Sequence, residues 1–378
     1  MTALNLVYVL AFIDFIGVNA SRVVLQLFAL DLRASPTEVG LLIALYYVCP
    51  LLLSCPAGLL SDRYGPRRPL LFSAVCGSLG MVIPYFIHTL PALYVAGMLS
   101  GMSFAFFLVI VQNLVGVLSI PEKRASAFSN FSLFGATSNF IGPLVAGLSV
   151  DHLDHPVSCL VAGVFTLICG IVVLIYGGVL PGGSRQRAPR APIGETLADP
   201  AVMRILAIGA LVQLGTDLFQ FYIPVYGVGI GLSASAIGAL LSTFAVASFI
   251  IRFTLPQLIK RWGEAKLLAY SFYLAALGFA LVPLFTSGLM LALVSFIFGL
   301  GTGCGQPIAT MLMFSRAADG RSGEALGLRL TLNNLVRVIA PATFGFIVSA
   351  FGLPPVFYIN AVMMGAGGLV SRAGKPKR

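Results

Sequence analysis

The chain has 378 residues, of which 58% are hydrophobic and only 10% are charged, and its mean hydropathy is +0.98. A soluble protein carries about a quarter charged residues, so this chain has too few polar side chains to cover a water-facing globule. The composition therefore excludes a soluble protein and predicts an integral membrane protein. The formal charge of +10 does not predict nucleic-acid binding, because the basic residues concentrate in loops on one side of the predicted spans.

Apolar stretches that are long enough to cross a bilayer recur along the whole chain. A spanning helix needs about 20 mostly apolar residues, and only helices or closed barrels satisfy the backbone in lipid. The alternating pattern of about ten residues that a barrel needs is absent. The sequence therefore predicts an all-α membrane protein with twelve spans, which we number in chain order: 5–30, 36–60, 69–89, 91–118, 124–150, 156–180, 202–229, 234–259, 265–286, 288–315, 324–350 and 353–371.

The distribution of basic residues predicts the orientation of the spans. Span 1 is too long for a signal-peptide core and lacks a small-residue cleavage site, so we expect it to be retained. Most lysines and arginines, such as Arg187 and Lys377, fall in loops or tails on one side, whereas Arg33 lies in a loop on the other. By the positive-inside rule both termini are cytoplasmic. We expect a multi-pass protein of the bacterial inner membrane.

One long polar segment divides the chain. Residues 181–200, PGGSRQRAPRAPIGETLADP, are rich in Pro, Gly and Arg, which is typical of a linker. The predicted organisation is a bundle of six helices at 1–180, a cytoplasmic linker at 181–200 and a second bundle of six helices at 201–378.

The two halves align as repeats at a single offset of 198 residues (Ser35 to Ser233). Parallel repeats of this kind occur in secondary transporters, where the substrate site lies between the halves near the middle of the bilayer. The pairs in register are Ser35 and Ser233, Gly40 and Gly238, Arg63 and Arg261, Gly65 and Gly263, Gly101 and Gly299, Pro143 and Pro341, and Gly147 and Gly345.

The segment 58–71, GLLSDRYGPRRPLL, concentrates charge between spans 2 and 3. It resembles the signature of the major facilitator superfamily, roughly G-x-L-x-D-R-x-G-R-R. The span count, the linker and the repeat extend this resemblance over essentially the whole chain, and it implies that family's fold and secondary active transport. The matching residues are Gly58, Leu60, Asp62, Arg63, Gly65, Arg67 and Arg68, with Pro66 as a loop residue.

A second motif lies in span 5, in GATSNFIGPLVAG. Its Gly135, Gly142, Pro143 and Gly147 resemble the antiporter motif of exporters in the family. Glycines permit close helix approach and proline bends a helix, so the resemblance implies a gate; the alternative is ordinary packing of small residues. Span 4 departs from the exporters, because Gly97 replaces the arginine that they often carry there.

The resemblance implies a cytoplasmic latch at Asp62. Asp62 ends span 2, and span 11 begins at the same predicted surface near Glu324. A helix N-terminus carries partial positive charge, so Asp62, held by Arg63 or a second-half arginine, would dock there and favour the outward-open state. Arg67 and Arg68 are expected mainly to maintain topology. The second half has Lys260 at the position of Asp62, so the latch is expected on one side only.

Ionisable residues within span 1 are candidate functional residues, because such groups are costly at membrane depth and usually functional. Asp14 precedes Gly17, as in several proton-coupled exporters, and is the first candidate for the proton-coupling residue. Arg22 and Gln26 are four residues apart and share a face, which makes them candidates for substrate binding. Asp14 lies about 12 Å along the axis from Arg22, so no direct ion pair is expected.

Span 7 carries a polar stripe. Gln213, Asp217, Gln220 and Pro224 follow i, i+4, i+7 and i+11 on one face. Such a face is expected to line a wet cavity rather than lipid. Asp217 is therefore the second proton-coupling candidate, and Gln213 and Gln220 are candidates for substrate binding.

Span 11 contributes Asn333, Asn334 and Arg337, with Arg337 near the membrane midplane. Arg337 either binds an anionic group of the substrate or pairs with Asp14 or Asp217 when these are ionised; the residues leave both roles open. Gln112 and Asn113 in span 4 and Gln306 in span 10 are further candidates for substrate binding, with interhelical hydrogen bonds as the alternative.

No cofactor or metal site is expected. Residues 151–155, DHLDH, form a short external loop that is expected to be solvated rather than to bind a metal. The cysteines lie within the spans without CxxC spacing, which is typical of packing residues. They are Cys49, Cys55, Cys76, Cys159, Cys169 and Cys304.

The favoured function is proton-coupled efflux of a small organic compound by antiport. The alternative is proton-coupled uptake of a small organic anion, with Arg22 and Arg337 recognising a carboxylate or phosphate. An enzyme is not expected, because HExxH, GxSxG and Walker A motifs are absent. The expected partners are a small-molecule substrate that the sequence does not name, protons and the lipid bilayer. No nucleic acid or obligate oligomer is implied, so we expect a monomer.

Overall fold

A computed structural model describes residues 2–120, 124–181, 200–316 and 322–373. The side chains of Asp62 and Glu324 and most of the predicted linker 181–200 lie outside the described residues. The fold is all-α in the described parts of the chain. The helices are Ala3–Asp31 (α1), Pro36–Tyr64 (α2), Arg67–Phe86 (α3), Leu90–Leu118 (α4), Arg124–Tyr176 (α5), Pro200–Gly229 (α6), Ala234–Trp262 (α7), Glu264–Leu281 (α8), Gly288–Gly303 (α9), Gly305–Arg316 (α10), Ser322–Phe351 (α11) and Pro354–Ala373 (α12).

The helices correspond to the predicted spans, although two correspondences are not one to one. α5 covers spans 5 and 6, and its two limbs, 124–153 and 155–176, meet at the non-helical residue Asp154. The apolar stretch Asn130–Val179, which covers most of α5 and the three residues after it, has 50 residues, about twice the length that one crossing needs. α9 and α10 divide span 10 at Cys304. Within the described residues, ten stretches are long and apolar enough to cross a membrane; α12 is not among them.

The backbone of the turns supports the internal repeat. A positive φ is strained for residues other than glycine, so its position marks a turn that the chain must make. Every described residue with positive φ has a counterpart 198 residues away. The pairs are Arg33 (59°) and Gly231 (80°), Gly65 (79°) and Gly263 (75°), and Asp154 (67°) and Gly352 (81°).

The helices form two compact units. Unit 1 comprises Met1–Arg187 with Gly231–Ser242, and unit 2 comprises Ala188–Ile230 with Thr243–Arg378. In unit 1 the apolar face of α1 is buried in a core that includes Leu10 and Phe107. In unit 2 the Phe219 ring stacks on Phe298, with the ring centroids 4.1 Å apart. Each core therefore fixes the rotation of the helix that carries the candidate polar residues, α1 in unit 1 and α6 in unit 2.

Two glycines at repeat-related positions allow close packing within the units. A Cβ on Gly101 of α4 would collide with the Tyr46 carbonyl of α2, and a Cβ on Gly299 of α9 would collide with the Phe244 carbonyl of α7. The contacted residues are also 198 positions apart. Small residues at such contacts let helix backbones approach closely in membranes, and the two units use the same device.

Candidate functional site

Asp14 lies on α1 in the interior of unit 1. Its side chain is 1% exposed, and neither carboxyl oxygen has a hydrogen-bond partner among the described residues. The Cys169 thiol and the Tyr46 hydroxyl lie within electrostatic range of it. A buried ionised carboxylate without a partner is very costly. Asp14 therefore occupies a setting in which gain or loss of a proton has a large energetic consequence.

Arg22 forms a separate cluster two turns further along α1. Its Nη1 donates to the Tyr47 hydroxyl at 2.6 Å, and its Nη2 donates to Asn19 Oδ1 at 2.9 Å. The Asn19 amide in turn donates to the Phe15 carbonyl at 2.8 Å. We call Asn19, Arg22 and Tyr47 the α1 cluster. Asp14 makes no ion pair with Arg22 in the described structure, in line with their predicted axial separation.

The predicted polar stripe of α6 enters a network in unit 2. Asp217 Oδ2 accepts hydrogen bonds from Gln213 Nε2 at 2.8 Å and from Arg337 Nε at 3.1 Å. The second contact is an ion pair whose aspartate side chain is 8% exposed and whose arginine side chain is 24% exposed. The sequence left two roles open for Arg337, binding of an anionic substrate group and pairing with an aspartate. In the structure Arg337 is paired with Asp217.

The network continues through Gln306 to Arg329, a residue that the sequence analysis did not select. Gln306 Nε2 donates to Gln213 Oε1 at 3.2 Å and to the Gly209 carbonyl at 3.1 Å. Gln306 Oε1 accepts from Arg329 Nη1 at 2.7 Å. Arg329 is 7% exposed, and its Nε has no partner among the described residues. We call Gln213, Asp217, Gln306, Arg329 and Arg337 the α6 network.

Arg329 and Tyr47 could not be selected from the sequence. Arg329 lies only five residues after the predicted start of span 11, where a basic residue is typical of the membrane boundary. Tyr47 stands in an apolar run of span 2, beside a second tyrosine. Whether either side chain turns toward a polar partner depends on the rotation of its helix, which a single span does not specify.

The remaining candidates for substrate binding occupy various settings. Gln26 is 3% exposed and Asn333 is 6% exposed, and the side-chain oxygen of each lacks a partner among the described residues. Gln112, Gln220 and Asn334 are half-buried and Asn113 is exposed.

The charged turn between α2 and α3 is only partly described. Gly65 has a φ of 79° and ends α2, which explains the glycine at this place in the motif, and Gly58 lies half-buried one turn before Asp62. Arg63 lies over the Tyr64 ring at 5.2 Å. Arg67 Nη2 donates to the Leu174 carbonyl at 2.9 Å, so it secures the end of α5 as well as carrying charge. The side chain of Asp62, the predicted latch, and that of Glu324, at the predicted start of span 11, lie outside the described residues.

The span-5 motif lies at a tight helix contact within unit 1. A Cβ on Gly142 would meet the Asn19 side chain and the Ile16 carbonyl of α1. A Cβ on Gly147 would collide with the Ala234 carbonyl at the start of α7, and a Cβ on Gly238 would collide with the Pro143 carbonyl. The motif therefore brings α5 against both α1 and the first two turns of α7.

Hydrogen bonds reinforce the contact between α5 and α7. Asp151 accepts from the Ala234 N–H at 2.9 Å and from the Ser235 N–H at 2.7 Å, and Ser242 Oγ donates to the Phe140 carbonyl at 2.8 Å. Burial raises the pKa of Asp151, but the hydrogen bonds from Ser235 and Ala234 outweigh this effect and leave the pKa lowered. Residues 151–154 are exposed, as predicted for this loop, and the Asp151 carboxylate in addition caps α7. His155 Nδ1 lies 3.6 Å from Asp31 Oδ2.

Comparison with known proteins identifies the family. The sequence profile of the Major Facilitator Superfamily matches residues 7–341, and again residues 230–377. The chain belongs to the Major Facilitator Superfamily. This membership confirms the resemblance predicted from the segment 58–71.

Relatives and solved structures agree with this membership. The chain is 25% identical over 334 residues to the class H tetracycline resistance protein of Pasteurella multocida, covering 83% of this chain and 80% of the relative. It is 24% identical over 371 residues to multidrug resistance protein 1 of Bacillus subtilis, covering 94% and 92%. A POT family transporter solved with 5-aminolevulinic acid has a similar fold, with a TM-score of 0.84 at 13% identity, over 99% of this chain and 96% of that one.

The family establishes the general class of function. The protein is a multi-pass membrane protein and a secondary transporter with a small-molecule substrate, and it is not an enzyme.

Proposed function

We propose that the protein exports a small organic compound in exchange for protons, with both termini in the cytoplasm. The observation that carries the proposal is Asp14, a carboxyl group in the interior of unit 1 with no hydrogen-bond partner in the described structure. A transporter coupled to protons needs a group whose charge is incompatible with one of its conformations. In the packing described here, an ionised Asp14 would have no donor to stabilise it. Loss of its proton must therefore accompany a rearrangement that brings water or a donor to the carboxylate.

The α6 network supports the same proposal from unit 2. Asp217 is held between Gln213 and Arg337, so its charge is compensated where that of Asp14 is not. Protonation of Asp217 would weaken its pair with Arg337 and release the guanidinium for substrate. We propose Asp14 as the principal proton-coupling residue and Asp217 as the residue that links proton binding to the state of Arg337.

The direction of transport is argued from the span-5 motif and from the relatives. The motif resembles that of exporters, and its glycines allow α5 to contact α7 where the Asp151 carboxylate caps α7. We propose this contact as one gate and the Asp62 turn as the other, opened alternately. The names of two relatives describe resistance to tetracycline and to multiple drugs, which supports export of an organic compound.

A second candidate is proton-coupled uptake of a small organic anion. It is favoured by Arg329, because this arginine is 7% exposed, lies within 4.0 Å of no carboxylate in the described structure and has an unpartnered Nε. A buried positive charge without a counter-ion favours an anionic ligand. The two candidates share the coupling residues and differ in the direction of the flux relative to protons.

Flux measurements in proteoliposomes separate these candidates. Vesicles with an acidic lumen would accumulate the substrate of a proton antiporter, whereas vesicles in an acidic medium would accumulate the substrate of a symporter; both results hold for either orientation of the protein. Tetracycline, norfloxacin and benzoate serve as labelled probes. We expect accumulation of tetracycline or norfloxacin in the acidic lumen. Asp14→Asn should reduce it by about a hundredfold or more, the range of effects for a lost proton-transfer group.

The matched control is Asp31→Asn, which removes an exposed carboxylate at the end of the same helix and should leave the flux unchanged. Accumulation of benzoate only from an acidic medium would replace export by uptake of an anion. Proton-driven flux that is equal in Asp14→Asn and the unmodified protein would refute the proposed role of Asp14.

A further inference from the structure

A cavity of about 370 Å³ lies between α2, α3 and the middle of α4 in unit 1. Its volume is within the range of about 300–1,000 Å³ that is typical of small-molecule sites. Leu60, Tyr64 and Phe72 on its rim are each more than one third exposed, whereas Phe106 at its base is buried. The cavity therefore opens at the surface of unit 1. The lining residues are Leu60, Tyr64, Arg68, Pro69, Phe72 and Phe106.

The polar and apolar side chains of this cavity are ordered along the helix axes. Leu60 and Tyr64 are four residues apart on α2, and Arg68 and Phe72 are four residues apart on α3, so each pair lies on one helical face. The polar member of each pair is the one nearer to the turn between α2 and α3, and the apolar member lies about 6 Å deeper. Arg68 is the second residue of α3, whose apolar span begins at Arg67. The cavity thus presents a cation at its outer end and aromatic and aliphatic side chains below it.

Arg68 differs from its neighbour Arg67 in its contacts. The Arg67 guanidinium donates to the Leu174 carbonyl at 2.9 Å, and its side chain packs against Gly177. Arg68 is exposed, and no described carboxylate lies within 4.0 Å of its guanidinium. The positive-inside rule explains a basic residue at both positions. It does not explain why only Arg68 lines a cavity.

The repeat provides an internal comparison for this cavity. The residues 198 positions after Tyr64, Arg68 and Phe72 are Trp262, Lys266 and Tyr270. There the Trp262 and Tyr270 rings contact each other, with their centroids 5.6 Å apart, and the Arg372 guanidinium lies over the Tyr270 ring at 5.7 Å. The second copy therefore retains a basic residue, but its two aromatic rings pack edge to face against each other.

We propose that the cavity beside Arg68 binds an anionic phospholipid, with the lipid phosphate on Arg68 and an acyl chain along Leu60, Phe72 and Phe106. The occupant is argued from charge and from the order of the lining. An exposed guanidinium at the end of a membrane span attracts an anionic headgroup, and the apolar side chains below it match the acyl chain of the same molecule. A soluble anion would use Arg68 alone and leave the apolar part of the cavity unexplained.

Native mass spectrometry of the full chain tests this proposal. The protein is purified in detergent and titrated with phosphatidylglycerol or with phosphatidylcholine of the same acyl chains. We expect a tightly retained phosphatidylglycerol adduct and much weaker retention of phosphatidylcholine. Arg68→Gln should reduce the occupancy of that adduct by about five-fold, the effect of one basic residue at an anionic membrane surface. Lys266→Gln, with the same charge change at the repeat-related position, should retain the adduct.

A second variant tests the acyl-chain part of the cavity without a change of charge. Leu60→Trp fills the space below Tyr64 and should also reduce retention of phosphatidylglycerol. Equal retention in Arg68→Gln and the unmodified protein would overturn the proposal, as would an equal loss in Lys266→Gln. Displacement of the lipid by glycerol 3-phosphate alone would assign the site to a free anion instead. None of these measurements depends on the direction or coupling of transport.

Discussion

Among the described residues, two buried carboxylates, Asp14 in unit 1 and Asp217 in unit 2, differ in whether they have partners. Asp217 accepts from Gln213 and pairs with Arg337, whereas neither oxygen of Asp14 has a partner in the described structure. The arginine on the helix of Asp14, Arg22, bonds to Tyr47 and Asn19 instead. A buried carboxylate that is paired with a counter-ion can remain ionised, whereas ionisation of one without a partner is strongly unfavourable. The comparison teaches that the repeat preserves the helix scaffold and not the electrostatics of its interior.

The strongest test of the comparison is to break the pair in unit 2. Arg337→Gln leaves the Asp217 carboxylate buried without its counter-ion, which should lower the free energy of unfolding by about 3–5 kcal/mol. Denaturant unfolding in detergent measures this loss. The double variant Asp217→Asn/Arg337→Gln should recover most of it, because no charge is then left unpaired. A loss in the double variant as large as in Arg337→Gln would show that the ion pair is not the cause.

A smaller loss of unfolding free energy is expected when Gln306, an amide in the α6 network, is replaced. Gln306→Leu removes the side chain that joins Arg329 to Gln213, so buried donors and acceptors lose their partners at about 1–3 kcal/mol. Gln112→Leu, at a half-buried position on α4, is the control and should have little effect. The free energies of unfolding of the two variants, measured side by side, decide whether the α6 network acts as a connected unit.

A third carboxylate extends the comparison to the surface of unit 1. Asp151 is satisfied by two backbone N–H groups at the start of α7, and Asp151→Ala should cost about 1 kcal/mol, as for the loss of a helix cap. Its pKa is lowered in the folded protein, so its contribution is present above the unfolded pKa and is lost as the pH falls through the folded value.

The pH dependence gives this prediction its control. The difference in unfolding free energy between the unmodified protein and Asp151→Ala should be constant at neutral pH and shrink below pH 3.8, the ordinary value. His152→Ala, next to Asp151, should leave that pH dependence in place. A difference that stays constant into strong acid would mean that the carboxylate charge does not support the cap.

The smallest effect on stability is expected at Asp14. Asp14→Asn replaces a carboxyl group that makes no hydrogen bond by a neutral amide of similar shape, so the free energy of unfolding should change by less than about 1 kcal/mol. This small change contrasts with the large loss of transport proposed for the same variant. A loss of stability of several kcal/mol, measured by unfolding in detergent, would instead indicate that Asp14 has a structural partner.

The scaffold was predictable because its signals are local. Helix positions follow from runs of apolar residues, and the capping box of Ser35 and Glu38 at the start of α2 is legible in the sequence. The offset of 198 residues, found from scattered Ser, Gly and Pro matches, reappears in the backbone as pairs such as Gly65 and Gly263 with positive φ. A tight turn requires the same backbone geometry in both halves, so the sequence retains a trace of it.

The polar sites were predictable only in part. The stripe of Gln213 and Asp217 was visible because it repeats on one helical face, but Arg329 resembled a boundary charge, and Asp151 was interpreted as a solvated loop residue. Each of those side chains meets a partner on another helix, at Gln306 and at the start of α7. The environment of Arg329 and Asp151 depends on contacts between helices, which the sequence of one segment does not specify.

The sequence by itself determined that this chain crosses the membrane many times, that its halves are related and that it belongs with secondary transporters, because hydropathy, spacing and motif residues act along one segment at a time. Only the tertiary structure decided which carboxylate is paired and which is alone, which arginine secures a helix end and which borders a cavity. The physical reason is that burial and hydrogen bonding depend on which faces of neighbouring helices meet. Asp14 and Asp217 are the same residue type in similar apolar helices, and their difference arises from what packs against them.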